Sequence, residues 1–136
     1  MASFITQAET KRYLDSRTNS VYYAPGDSEI VFFTTPPTKV GTDGTELTGG
    51  GYARVTVGFG TAVNGSAGRT GQTSNDVGFT VTNMPVASTS VVGYALADSV
   101  THEIWFVNDS WTPTNAFAVG GNMNVAAGAL VLFGNN

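Results

Sequence analysis

Apolar and polar residues alternate along this chain in short runs, each closed by glycine, proline, asparagine or aspartate. Residues 52–59 set the type. Ala53, Val55, Val57 and Phe59 fall on one face and Tyr52, Arg54 and Thr56 on the other, the period of two expected of a half-buried strand. The same reading predicts strands over 29–35 (EIVFFTT), 76–83 (DVGFTVTN), 90–97 (SVVGYALA), 102–107 (HEIWFV) and 128–133 (GALVLF), with short ones at 21–23 and near 116–119. Pro36 and Pro37 stop the 29–35 strand because proline has no N–H to give a ladder. Residues 60–75, polar and rich in Gly, Ser and Asn, have no period and read as a long connection or exposed loop tip.

A helical spacing is expected only near the start, over 3–17. Thr6-Gln7-Ala8-Glu9 fits a capping box, in which the Thr6 hydroxyl accepts from the Glu9 amide and the Glu9 side chain reaches back. Phe4, Ile5, Ala8, Tyr13 and Leu14 give an imperfect apolar stripe. The pattern therefore predicts an all-β protein: an antiparallel β-sandwich of jelly-roll type with a short N-terminal helix or arm. Residues 1–20 form the arm and 21–136 one β-sandwich domain.

The most specific stretch is 41–59, GTDGTELTGGGYARVTVGF. Gly49, Gly50 and Gly51 add nothing to β-propensity; they fit a backbone that takes positive φ or passes close to another segment. Arg54, one of six basic residues, follows them and is expected to pair with an acidic group, in the sheet or across a subunit boundary.

Composition sharpens the class. Only 12% of residues are charged, about half the usual share, which suggests a surface partly covered by neighbouring subunits. Lys11, Arg12 and Arg17 against Glu9 and Asp15 give the N-terminal segment a net +1, leaving −5 on the rest of a chain of net −4. That basic arm either docks on a neighbour's acidic surface or packs as a solvated helix on its own domain. A net acidic chain argues against nucleic-acid binding. Without cysteine there is neither a disulfide framework nor a thiolate metal site. No apolar run reaches the ~18 residues of a membrane span, and the N-terminus lacks the order of a signal peptide; a soluble protein made in a cytoplasm is expected.

Candidate chemistry is sparse. His102 is the one histidine, and Asp98 or Asp109 would complete a serine triad, but no Gly-x-Ser-x-Gly elbow exists. A lone histidine at a strand edge is far more often structural. Gly58-Phe59-Gly60 lacks the rest of a dinucleotide fingerprint. Asp43 and Glu46 share a loop where a calcium ion is conceivable, without EF-hand spacing. No catalytic residue, metal or cofactor is expected. Trp105 and Trp111, with Tyr22 and Tyr23, are either sugar-stacking aromatics or core and interface packing.

Phe33-Thr34-Thr35-Pro36-Pro37-Thr38, then Gly44-Thr45-Glu46-Leu47-Thr48-Gly49-Gly50-Gly51-Tyr52-Ala53-Arg54, resemble a family of small tailed-bacteriophage virion proteins. The weaker steps Tyr94-Ala95-Leu96-Ala97-Asp98 and Ala126-Ala127-Gly128-Ala129-Leu130-Val131-Leu132-Phe133 extend the resemblance over nearly the whole chain, with a departure at 99–115. Members are often labelled tail-fibre proteins, and the type also suits capsid decoration. The resemblance implies a non-enzymatic virion protein. The leading expectation is a cement protein on the capsid exterior, a homo-oligomer, trimer favoured, bound to the major capsid protein or other virion proteins. The alternative is a tail-fibre or adhesion component that binds surface glycans through Trp105, Trp111 or the 60–75 loop. Phe4, Lys11, Arg12, Arg17, Tyr52, Arg54, Trp105 and Trp111 are the candidate interface residues.

Overall fold

A computed structural model describes residues 3–18, 27–60 and 69–135. In chain order its elements are β1 (Ser3–Ile5), α1 (Gln7–Thr18), β2 (Ser28–Thr35), β3 (Thr45–Glu46), β4 (Val55–Thr56), β5 (Arg69–Ser74), β6 (Phe79–Val81), a 3-10 turn (Ser88–Ser90), β7 (Tyr94–Asp98), β8 (Ile104–Asn108), β9 (Met123–Val125) and β10 (Val131–Asn135). The protein is mostly β, its sheets antiparallel, with one short N-terminal helix, the class the alternation predicts. It divides into two compact units. The first holds residues 1–47, 54–56 and 91–112, and the second 48–53, 57–90 and 113–136.

The first unit is built on one sheet in the order β1-β8-β7-β2-β3, with β4 also on β2. β7 occupies one edge of β2 from Ser28 to Phe32, so β3 and β4 share the other, at Phe33 to Thr35 and at Glu29 to Ile30. Central position explains why Tyr94, Ala95, Leu96 and Ala97 are all fully buried: both faces of β7 are covered. On one face Val31, Phe33, Ala95, Ala97 and Val107 form a core that Phe4 and Ile104 extend. On the other, Tyr94 packs edge-on to Trp111 with centroids 5.7 Å apart, and Trp111 lies 5.5 Å from Phe32.

The second unit pairs β5 with β10 and β6 with β9. Its buried residues include Val81, Met84, Met123, Val125 and Leu130.

Several expectations need correction. The N-terminal helix begins at Gln7 rather than residue 3, because residues 3–5 pair with Phe106 to Asn108 as an edge strand and send Phe4 onto the core face. The strand expected over 52–59 is reduced to Val55–Thr56 and a bridge from Phe59 to Asn75. The glycines are the cause. Gly50 has φ +57°, and a Cβ there would stand 2.2 Å from the Asn83 carbonyl; at Gly51 one would stand 2.2 Å from the Thr82 carbonyl, and its N–H donates to Asn83. The backbone at 49–51 is thus laid flat against 82–83, off any ladder with β2. In the 60–75 stretch, Arg69–Ser74 is a strand, since Thr and Gln tolerate extension and the apolar partner, β10, supplies the ladder; residues 61–68 lie outside the described set. No strand forms at 116–119; β9 follows instead at Met123–Val125, with Met123 and Val125 buried and Asn124 exposed. The expected strand at 21–23 lies outside the described residues.

Candidate functional site

Four ionisable side chains meet where β3 and β4 flank β2. Glu29 is in phase with Val31 and Phe33 on β2, the register sets Glu46 opposite Phe33, Arg54 immediately precedes β4, and His102 sits in the turn between β7 and β8. Arg54 forks onto Glu46, Nε to Oε1 and Nη2 to Oε2 at 3.0 Å each. Its Nη1 donates to Glu29 Oε2 at 3.3 Å and to the His102 carbonyl at 3.1 Å. The other Glu29 oxygen lies 2.9 Å from His102 Nδ1. A carboxylate only accepts, so Nδ1 donates. His102 holds a left-handed φ of +61°, a costly conformation for a residue with a Cβ, and presents both ring and carbonyl to the network.

The hydrogen bonds that Arg54 donates to Glu46 raise its guanidinium above the ordinary value, outweighing the contrary pull of burial, and the bond to Glu29 adds to them. Glu29 is 9% exposed, so its charge is held by these partners rather than by water. Chemically the cluster is an ion lock: it ties two edge strands and a turn to β2. The Arg54 partner is an acidic pair within its own sheet.

The other candidate residues are placed as follows. Arg12 reaches Glu9 at 3.4 Å and bonds Glu103, the residue before β8, anchoring α1 beside the sheet; Lys11 pairs with Asp15. The Thr6 hydroxyl donates to the Ile104 carbonyl at 3.0 Å. Arg17 is exposed, and Tyr52 is half-buried in the second unit. Trp105 is half-buried beside Phe106, while Trp111 is half-buried in the aromatic cluster with Phe32 and Tyr94. Burial pushes the Tyr94 phenol well above its ordinary range, partly offset by its hydrogen bond with Asn108. Asp43, the calcium candidate, accepts from the Thr38 amide at 2.8 Å and hydroxyl at 2.7 Å, which holds its carboxyl below the usual range. Glu46 is committed to Arg54. Among the described residues no group of three or more acidic or histidine side chains is placed to hold a metal ion.

Phe4 also lines an open groove of about 450 Å³ with Pro36, Pro37, Thr38, Lys39 and Asp109. The proline pair that follows β2 lines it, as does Phe4 of β1. Sequence reasoning gave no sign of this groove, because its residues come together only through the sheet order, β1 on β8 and β8 through β7 to β2.

It also missed Asn75, which is 2% exposed and the hub of the second unit. Its Nδ2 donates to Val77 O at 2.8 Å and Ala126 O at 3.1 Å, and its Oδ1 accepts from Leu130 N at 3.0 Å. An asparagine in a Ser-Asn-Asp run carries no signal of burial.

Fold and site together define an all-β protein whose most connected polar cluster holds strands in place. Residues 5–132 match the family described as Podophage GP4 fiber I protein gp80, and the chain belongs to that family. It is therefore a phage fibre-type structural protein of the virion. No curated protein and no solved structure matches it.

Proposed function

We propose that the protein is a fibre subunit of a podophage virion that acts by assembly rather than catalysis, contacting other virion proteins and copies of itself. The observation that carries this reading is the family match, which runs through both units. Side-chain chemistry supports it: His102, the one histidine, is committed through Nδ1 to Glu29, and Arg54 to two carboxylates and a carbonyl. Assemblies of this kind are stabilised by many small contacts that cover strand edges and apolar patches. A cement role on the capsid exterior is the second reading, favoured by the lack of any internal repeat of the sort that builds an elongated shaft.

Phage carrying an early stop in this gene separates the two. The fibre reading expects particles that lack a fibre under the electron microscope and adsorb poorly, with heads of normal heat resistance. The cement reading expects normal adsorption and heads that rupture at lower temperature. Particles normal in form, adsorption and heat resistance refute both.

A further inference from the structure

Helix α1 has twelve residues, none of them buried. Thr10, Tyr13, Leu14 and Arg17 follow the spacing i, i+3, i+4, i+7 and so share one face, and all four are exposed, Tyr13 by 58% and Leu14 by 52%. Arg12 bonds Glu103, the residue before β8, and leaves this stripe unused within the unit. Polar bonds from Gln7 to Lys39 and from Arg12 to Glu103 tie the helix to its own unit, and they leave an aromatic, an aliphatic and a cation exposed together on the other face, where a partner would cover them. Arg17 has no ion-pair partner among the described residues.

The groove of Phe4, Pro36 and Pro37 has the matching character. Phe4, Pro36 and Pro37 give it an apolar side, Thr38 and Lys39 line it as well, and Asp109 likewise lacks an ion-pair partner among the described residues. The chain's own helix does not fill it. The Gln7 amide bonds the Lys39 carbonyl at 2.9 Å, which fixes the start of α1 beside the groove. Arg17 lies ten residues further along, ~15 Å away at the helical rise. Among the described residues of this unit none fills the groove, and the charge balance favours a copy of this chain as the occupant: a helix of net +1 against a remainder of −5.

We infer that the Tyr13/Leu14/Arg17 stripe of one copy docks in the Phe4/Pro36/Pro37 groove of a second, with Arg17 paired to Asp109. This rests on the reading of the protein as an assembling subunit. Because stripe and groove are different patches of one unit, the contact is heterologous, and it closes a ring or propagates as a filament.

Sedimentation of the purified full chain over a wide concentration range tests it. The wild type should self-associate, and Tyr13→Ala/Leu14→Ala should weaken association about 30-fold, equivalent to ~2 kcal/mol. Arg17→Asp and Asp109→Arg should each weaken it, and the double variant carrying both should recover it. Circular dichroism confirms that each variant, altered only at exposed or half-exposed positions, remains folded. A wild type that is monomeric throughout overturns the inference. So does association indifferent to the helix pair, or a double swap that is no better than its singles. If the monomeric protein is still incorporated into virions, only the self-docking fails and the fibre reading stands.

Discussion

Removing the Arg54 guanidinium isolates a buried charge, and its cost can be worked from the geometry. The forked pair with Glu46 is partly wetted, with side chains 26% and 30% exposed, so screening holds it to about 1 kcal/mol despite its bidentate form. Glu29 is different. Its side chain is 11% exposed, and Arg54→Ala leaves it with His102 alone, a loss of about 1–3 kcal/mol. Together these predict ~2–4 kcal/mol and a melting temperature lower by roughly 8–14 °C for a chain of this length. Both tryptophans, Trp105 and Trp111, lie in the first unit, so fluorescence during urea unfolding reports the unit that holds the lock. A second substitution isolates the buried charge. Glu29→Gln added to Arg54→Ala should recover at least ~1 kcal/mol, since a neutral amide needs no counter-charge. A single variant within ~0.5 kcal/mol of wild type, or a double variant no more stable than Arg54→Ala, would refute the reasoning.

Two further perturbations follow from the buried polar groups. Asn75→Ala orphans two carbonyls and one amide and should cost about 2–4 kcal/mol, seen as faster amide exchange in peptides spanning 73–81; Asn75→Asp should be worst at neutral pH and improve under acid, where its carboxyl becomes neutral, and unchanged exchange in both contradicts the hub. Tyr94 stays protonated in the fold above the 10.0 at which the unfolded residue ionises, so the stability it carries is whole below pH 10 and falls as pH rises, by about 1.4 kcal/mol per unit. Tyr94→Phe should lose about 1 kcal/mol at pH 7 through the Asn108 bond yet fall off less steeply between pH 10 and 11; equal slopes exclude the effect.

How much of this was legible depends on whether a residue's role is set locally or by its partner. β2, β7 and β8 lie close to their expected positions because buried strands need continuous apolar runs, and EIVFFTT, YALA and IWFV provide them. RTGQTS holds no apolar residue and so reads as a loop in the sequence; the extension of β5 is imposed by the ladder with β10. The 52–59 alternation misled for the opposite reason. A period of two describes side chains, but the backbone at Gly50 and Gly51 is claimed by Thr82 and Asn83 before it can join β2. At the site, the expectation that Arg54 needs an acid followed from a charge in a half-buried strand. That Glu46 would supply the fork and Glu29 the second bond did not, since β2 and β3 carry those carboxylates into place only through their register.

The division of the chain between its two units bears on how the molecule is made. The boundaries fall after residues 47, 53, 56, 90 and 112, so neither unit is one continuous stretch of gene. The Thr6 hydroxyl meets its carbonyl partner 98 residues later. During synthesis β2, with five buried residues in a row, leaves the ribosome long before β7 exists to cover its edge. Non-local pairing of this kind folds on the slow side of the single-domain range, milliseconds to seconds. A product truncated before residue 104 would carry that strand with β1 still unpaired, and should aggregate rather than persist as a half-domain.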